Sequence, residues 1–287
     1  MKKIFYLPML ALLFASCELN ELPKSEATEE DIFGTEKGLK NCSNSFYRNI
    51  TSGNDAYKGD AMADYAAVNS LNNFISQGAY SREVEELKSL WTWSTLRNIN
   101  QMIAKCTSPN LSDKVKNNYI GLARFFRAWF YYDKVVRFGD VPWVDHPLAV
   151  TEEEILKGPR DSRELVMKHI MEDLDFAYQN ISDAPGDGTT VNKWTAFGLK
   201  TRIALFEGSF RKYHHLSLAT RPEVFFQYAV DAGKILMESG PYRLHVASDP
   251  KISQRELFTS EQPVKEEVML AVAFSKNQAL MNDANWW

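Results

Sequence analysis

Along most of the chain, apolar residues recur at three- and four-residue steps, which predicts helices. A first helix is expected from about Thr35 to Asn49, and a second from near Arg82 to Lys105, ending before Pro109. A third runs from Ser112 to about Arg137, with Val115, Tyr119, Leu122, Phe126, Trp129 and Phe130 on one stripe. Arg124, Arg127, Lys134 and Arg137 read as a separate basic ridge, which either faces a partner or, more often for such residues, is a solvated face paired with acids on the helix of Glu172, Asp173 and Asp175. Gly139 ends this helix, and Pro142 and Pro147 keep the next segment extended.

Asp161 followed by Glu164 three residues later reads as a capped helix start. Leu165, Val166, Ile170, Leu174 and Ala177 form the core face of that helix, which stops before the turn formers Pro185 to Gly188. Asn192 is expected to cap the next helix, whose inner face uses Trp194, Phe197, Thr201 and Leu205 with the small Gly198 and Gly208. Pro222 suits a first helical position, and Phe225, Ala229, Ala232, Gly233 and Leu236 lead to a stop at Gly240. Helices of this length joined by short turns predict a mainly α fold of stacked antiparallel pairs, like a TPR solenoid without a strict 34-residue repeat. From Glu267 to Phe274 the alternation of Val268, Leu270 and Val272 predicts one strand, a minor strand-containing region near the C-terminus.

The first sixteen residues follow a different pattern. Lys2 and Lys3 precede an apolar run from Ile4 to Phe14, and Ala15 and Ser16 precede Cys17. The run is shorter than the roughly 20 residues a membrane-spanning helix needs, and has the anatomy of a secretory signal. Phe14-Ala15-Ser16-Cys17 resembles the lipobox of bacterial lipoproteins, with phenylalanine where leucine is commoner. The expected organisation is a signal peptide over 1–16, a lipidated and tethering segment over 17–34, and a helical-repeat domain over 35–287. Glu18 to Glu30 is too polar to bury much surface and is expected to be extended. An ordinary signal peptide leaving Cys17 free is the alternative.

Cleavage would remove two lysines, leaving 31 basic against 37 acidic residues and a net charge of −6. Nucleic-acid binding is not expected of such a surface. Cys42 and Cys106 make neither a disulfide framework nor a paired zinc motif, and read as small buried residues more readily than as a bridge. Aromatic content of 13% means a core of large rings, stacking surfaces for a ligand, or both.

Several segments, in order, resemble the SusD/RagB family of outer-membrane nutrient-binding lipoproteins. They are Glu29 to Thr35, Ala123 to Tyr132 continuing to Phe138-Gly139-Asp140-Val141-Pro142, Pro159 to Ser162 with Ile170 to Leu174, Ala196 to Gly208, and Tyr228 to Tyr242. The resemblance implies a TPR-like scaffold that captures glycans, or peptides in some members. It also implies a SusC-type TonB-dependent transporter as partner, and attachment to the outer membrane by lipid on Cys17, facing the exterior. Family members are usually longer, so the chain is expected to be the N-terminal part of such a protein, with the tryptophans at 286 and 287 belonging to an interrupted core.

A sugar binder needs flat apolar faces beside amides or charges that meet hydroxyls. The segment from Asn54 to Tyr80 carries Asp64, Tyr65 and Asn73, and lies just before Trp91 and Trp93. Two positions apart on a helix, these tryptophans cannot share a face, so one should point inward and the other outward. An outward tryptophan with Arg97 or Asn98 one turn away would form a sugar platform; alternatively both rings pack in helix contacts. No zinc-protease, nucleophile-elbow, phosphate-loop or dinucleotide motif occurs, and no enzyme activity, cofactor or metal is expected. Asp183 and Asp187 lack the ordered spacing of a calcium loop. Three alternatives stand beside the glycan reading: a peptide-binding family member, a lipid-anchored glycoside hydrolase whose carboxylates have no fixed sequence spacing, and an adaptor that binds only proteins.

Overall fold

A computed structural model describes residues 27–50, 90–184 and 188–273. The expected signal peptide, Cys17, Asp64, Tyr65, Asn73 and the terminal tryptophans lie outside the described residues. Among the described residues are nine α-helices: α1 Glu29–Phe33, α2 Glu36–Asn44, α3 Ser94–Lys105, α4 Asp113–Phe138, α5 Glu153–Leu156, α6 Arg163–Asn180, α7 Lys193–Tyr213, α8 Pro222–Ser239 and α9 Ser253–Thr259. None of these helices is long and apolar enough to cross a membrane.

Local chemistry sets most of their starts. The hydroxyls of Thr35, Ser112 and Ser162 accept from backbone N–H groups in the first turns of α2, α4 and α6. Asn192 and Thr195 form a reciprocal capping box at α7, and Pro222 opens α8. The cap of α6 is therefore Ser162 and not Asp161. Asp161 instead accepts from the Trp143 N–H at 2.7 Å, while its carbonyl accepts from Val141 N–H at 3.2 Å. Gly139 ends α4 at φ +71°, a conformation that side-chain-bearing residues rarely adopt.

Consecutive long helices pack side by side, and the pairing registers run antiparallel. Between α4 and α6, Arg163 reaches the Val135 carbonyl, Asp173 meets Arg124 and Arg127, and Ile181 lies against Gly121. Across α6 and α7, Arg163 pairs with Glu207, Asp175 with Lys200, and Tyr178 stacks on Phe197 at 3.6 Å between centroids. Between α7 and α8, Gly208 faces Phe226 and Thr201 faces Gly233. A Cβ on Gly208 would sit 2.8 Å from the Phe226 ring, so glycine permits this close approach. The expected solenoid of antiparallel helix pairs is the architecture observed.

Four expectations change. The first concerns the domain edge. Residues 29–33, expected to belong to the tether, are helical, Phe33 is buried, and Glu29 pairs with Lys105, so among the described residues packing already includes positions before Thr35. The second is the basic ridge. The expected pairing with acids holds for Arg124 and Arg127, which both meet Asp173, but the ridge is not a solvated face: Arg127 and Lys134 are buried, Arg124 is largely covered, and Arg137 alone of the four is on the surface, paired with Asp133. The helix α4 is central, with neighbours on several sides, so its polar stripe faces α3 and α6. Third, Leu165 and Leu205, assigned to core faces, are exposed, and the inner face of α7 carries Ile203, Ala204, Glu207 and Arg211 instead. Finally, the described part of the expected strand, 267–273, has no strand partner among the described residues. Its Ala271 N–H donates to Gly188, and Val272 is exposed. Alternation alone supplies no ladder for the backbone to join.

Aromatic residues are mainly core. Phe46, Tyr47 and Phe125 surround Phe126 at centroid distances of 4.9 to 5.8 Å. Cys42 and Cys106 are unpaired thiols, and burial pushes the titration of both upward.

Candidate functional site

The segment between α4 and α5 has no ladder, and its prolines remove two N–H groups. Its buried carbonyls must therefore find side-chain donors. Three side chains from the helices supply them. Asn100 of α3 donates through Nδ2 to the carbonyls of Val144 (2.8 Å) and His146 (3.3 Å). Tyr131 of α4 accepts from Val144 N–H at 2.6 Å, with its hydroxyl 3.2 and 3.3 Å from the Val144 and Pro142 carbonyls. Arg97 donates to the Leu148 carbonyl at 3.0 Å.

A buried ion pair holds Asn100 and adds a fourth side-chain donor, Arg127. Arg127 meets both Asp173 oxygens, through Nε at 2.7 Å and Nη2 at 2.8 Å. Its Nη1 reaches Asn100 Oδ1 and the Asp145 carbonyl, each at 3.3 Å. Desolvation pulls the Arg127 titration down, but hydrogen bonding and charge from Asp173 outweigh it, so the net shift is upward. Tyr131 is pushed well above an ordinary phenol, chiefly by burial.

The pinned segment and the start of α3 enclose a cavity of about 580 Å³. One wall is Trp91, Trp93, Leu96, Arg97 and Asn100; the other runs through Pro142, Val144, His146 and Leu148 to Ile155, Leu156 and Arg160. At the rim, His146 is braced between Asp145 (Nδ1, 2.9 Å) and Glu152 (Nε2, 2.7 Å), and Glu152 also accepts from Ala149 N–H at 2.6 Å. Hydrogen bonds to Asp145 and then Glu152 raise the His146 titration. Asp145 is held low mainly by His146, and Glu152 mainly by the Ala149 N–H.

Both tryptophans line this cavity, and neither is within a helix. Residues 91–93 approach α3 in irregular conformation, so the helix-face argument does not apply to them. Their rings meet edge to face at 5.1 Å. Trp91 also packs on Phe138 at 4.9 Å and Trp93 on Phe130 at 5.6 Å, so packing and lining coincide in both. Lys134 steadies the approach: its Nζ donates to the Leu90 carbonyl among Trp93, Phe130 and Phe138, and burial lowers its titration.

Of the expected site residues, Trp91, Trp93 and Arg97 come together, whereas Asn98 is exposed and does not line the cavity. Asn100, His146 and Arg160 were not anticipated. Arg97 and Asn100, three apart and therefore on one helix face, carried a readable signal for Asn100; nothing local marked His146.

The SusD-like family described as "Starch-binding associating with outer membrane" matches residues 31–206, more than half of the chain. The chain belongs to this family. It is 24% identical over 226 residues to SusD-like protein P2 of Formosa agariphila, an alignment covering 73% of this chain and 44% of that protein. Among solved structures, a SusD-like protein of Bacteroides fragilis superposes with TM-score 0.65 at 20% identity, covering 87% of this chain and 47% of that one. A SusD-like carbohydrate-binding protein of the same species gives TM-score 0.61 at 18% identity, covering 75% and 43% respectively. The chain thus spans about half the length of the relatives it matches.

Proposed function

We propose that the protein is a lipid-anchored binder at the outer-membrane surface that captures an oligosaccharide in the Trp91/Trp93 cavity. It then presents the glycan to a SusC-type TonB-dependent transporter. The observation that carries this reading is the cavity itself. Two half-buried tryptophans border a volume suited to a few sugar rings, beside the guanidinium of Arg97, on a scaffold whose family is described as starch-binding. Nothing in the reading calls for bond breaking, and the protein acts by binding alone.

Retardation of the protein in polysaccharide-containing native gels, followed by titration with oligosaccharides, tests the reading. Trp91→Ala and Trp93→Ala should each weaken binding at least tenfold while the far-ultraviolet circular dichroism stays helical. Unchanged binding in both variants would remove the cavity from the function. Mass spectrometry of membrane-extracted protein should find acyl chains on Cys17, and an unmodified thiol there would overturn the anchor.

A further inference from the structure

Among the described residues, the cavity walls carry Arg97, Arg160 and His146 but no aspartate or glutamate, although the chain as a whole has a net charge of −4. Neither Arg97 nor Arg160 has, among the described residues, a carboxylate within ion-pair distance, while six of the other ten arginines do. Both guanidiniums are held in place by neutral groups. Arg97 is fixed by the Leu148 carbonyl. Arg160 lies 4.8 Å from the Trp91 ring centre, with long bonds of 3.4 Å to the Phe138 and Asp140 carbonyls. A guanidinium has five N–H donors, and one or two contacts leave most of them free for a ligand.

The other charges at the rim partly offset these two. Asp145 and Glu152 bring two negative charges to the rim, reduced by one when His146 is protonated, but each carboxylate is committed to the imidazole, and Glu152 also to the Ala149 N–H. Among the described residues, Arg97 and Arg160 remain the unpaired charges in the cavity.

We infer that the cavity selects an acidic glycan, whose carboxylate or sulfate ester engages Arg97 and Arg160 while a sugar ring rests against the tryptophan wall. This inference rests on the glycan-binding reading above and names its substrate class. Arginine suits such oxyanions because its fork donates two parallel hydrogen bonds. A protein of net negative charge has no general attraction to a polyanion, so binding to one must come from a local site.

Affinity gels of the full chain should be run with polygalacturonate and alginate as carboxylate probes, chondroitin sulfate and carrageenan as sulfate probes, and starch, xylan and mannan as neutral ones. The expected result is retardation by at least one acidic polymer. It should weaken at least tenfold in both Arg97→Gln and Arg160→Gln, weaken again as sodium chloride rises, and persist in Arg137→Gln. Carboxylate and sulfate probes separate the two oxyanions. Retardation by neutral polymers only would overturn the acidic selectivity and leave glycan binding standing. Acidic binding indifferent to both cavity arginines would overturn the assigned contacts, and no retardation by any polymer would overturn both readings.

Discussion

Removing the carboxylate of Asp173 tests the idea that one buried ion pair supports both the helix stack and the cavity. Asp173 is 1% exposed and accepts three charge-assisted hydrogen bonds, two from Arg127 and one from Arg124. In Asp173→Ala, Arg124 retains some contact with water and lies over the Phe176 ring at 4.3 Å. Arg127, with only 7% of its side chain exposed, lacks access to water and keeps only the long contacts to Asn100, the Asp145 carbonyl and the Trp143 ring, none of which carries a compensating charge. Breaking a buried pair from one side costs about 3 to 5 kcal/mol, because the stranded charge stays desolvated. With a urea dependence of about 3 kcal/mol per molar for a chain of this size, the unfolding midpoint should fall by about 1 to 1.7 M at unchanged slope. The double variant Asp173→Ala/Arg127→Met removes the stranded charge and should recover about half of the loss. A midpoint shift below about 0.3 M in the single variant would refute the picture of an unrelieved buried charge. A double variant as unstable as the single one would show that the cost lies in packing.

Three further outcomes follow from the same geometry. The folded titration of His146 is raised above 6.5, so its brace is complete below that pH and is lost as pH climbs through the raised value. Nuclear magnetic resonance should give a midpoint above 6.5 that falls in Glu152→Gln; a midpoint at or below 6.5 contradicts the brace. Gly208→Val forces a side chain against Phe226 and the Pro222 carbonyl, costing about 1 to 3 kcal/mol. Its melting point should drop by at least 2 °C, and an unchanged melt would mean that α8 yields freely. Cys106 is 2% exposed with its thiol titration raised, so it should react with a thiol reagent at pH 8 only on unfolding, whereas rapid native labelling would contradict its burial.

The helices were legible because caps and periodicity are local: Ser112, Asn192 and Pro222 each mark a start that the fold uses. Which face of a helix is buried was less legible. Arg127 and Lys134 have solvent-seeking side chains, and only the arrival of Asp173 and the Leu90 carbonyl makes their burial tolerable. The same reason hid half of the site. Trp91, Trp93 and Arg97 stand close in sequence, but the opposite wall comes from residues 142–160, brought across by hydrogen bonds to Asn100 and Tyr131. The strand expected at 267–274 failed for a related cause, since a pairing partner is a tertiary fact that alternation does not report.

The side-chain donors that hold the 142–148 carbonyls have a kinetic consequence. A loop wall fastened at Val144, His146 and Leu148 to two packed helices has little freedom left to surrender when a ligand arrives. Capture by such a wall should proceed as a single concentration-dependent phase, without a slower closing step, and release should depend on the contacts alone. Among the described residues, no part of this wall has to reopen before a bound ligand can leave.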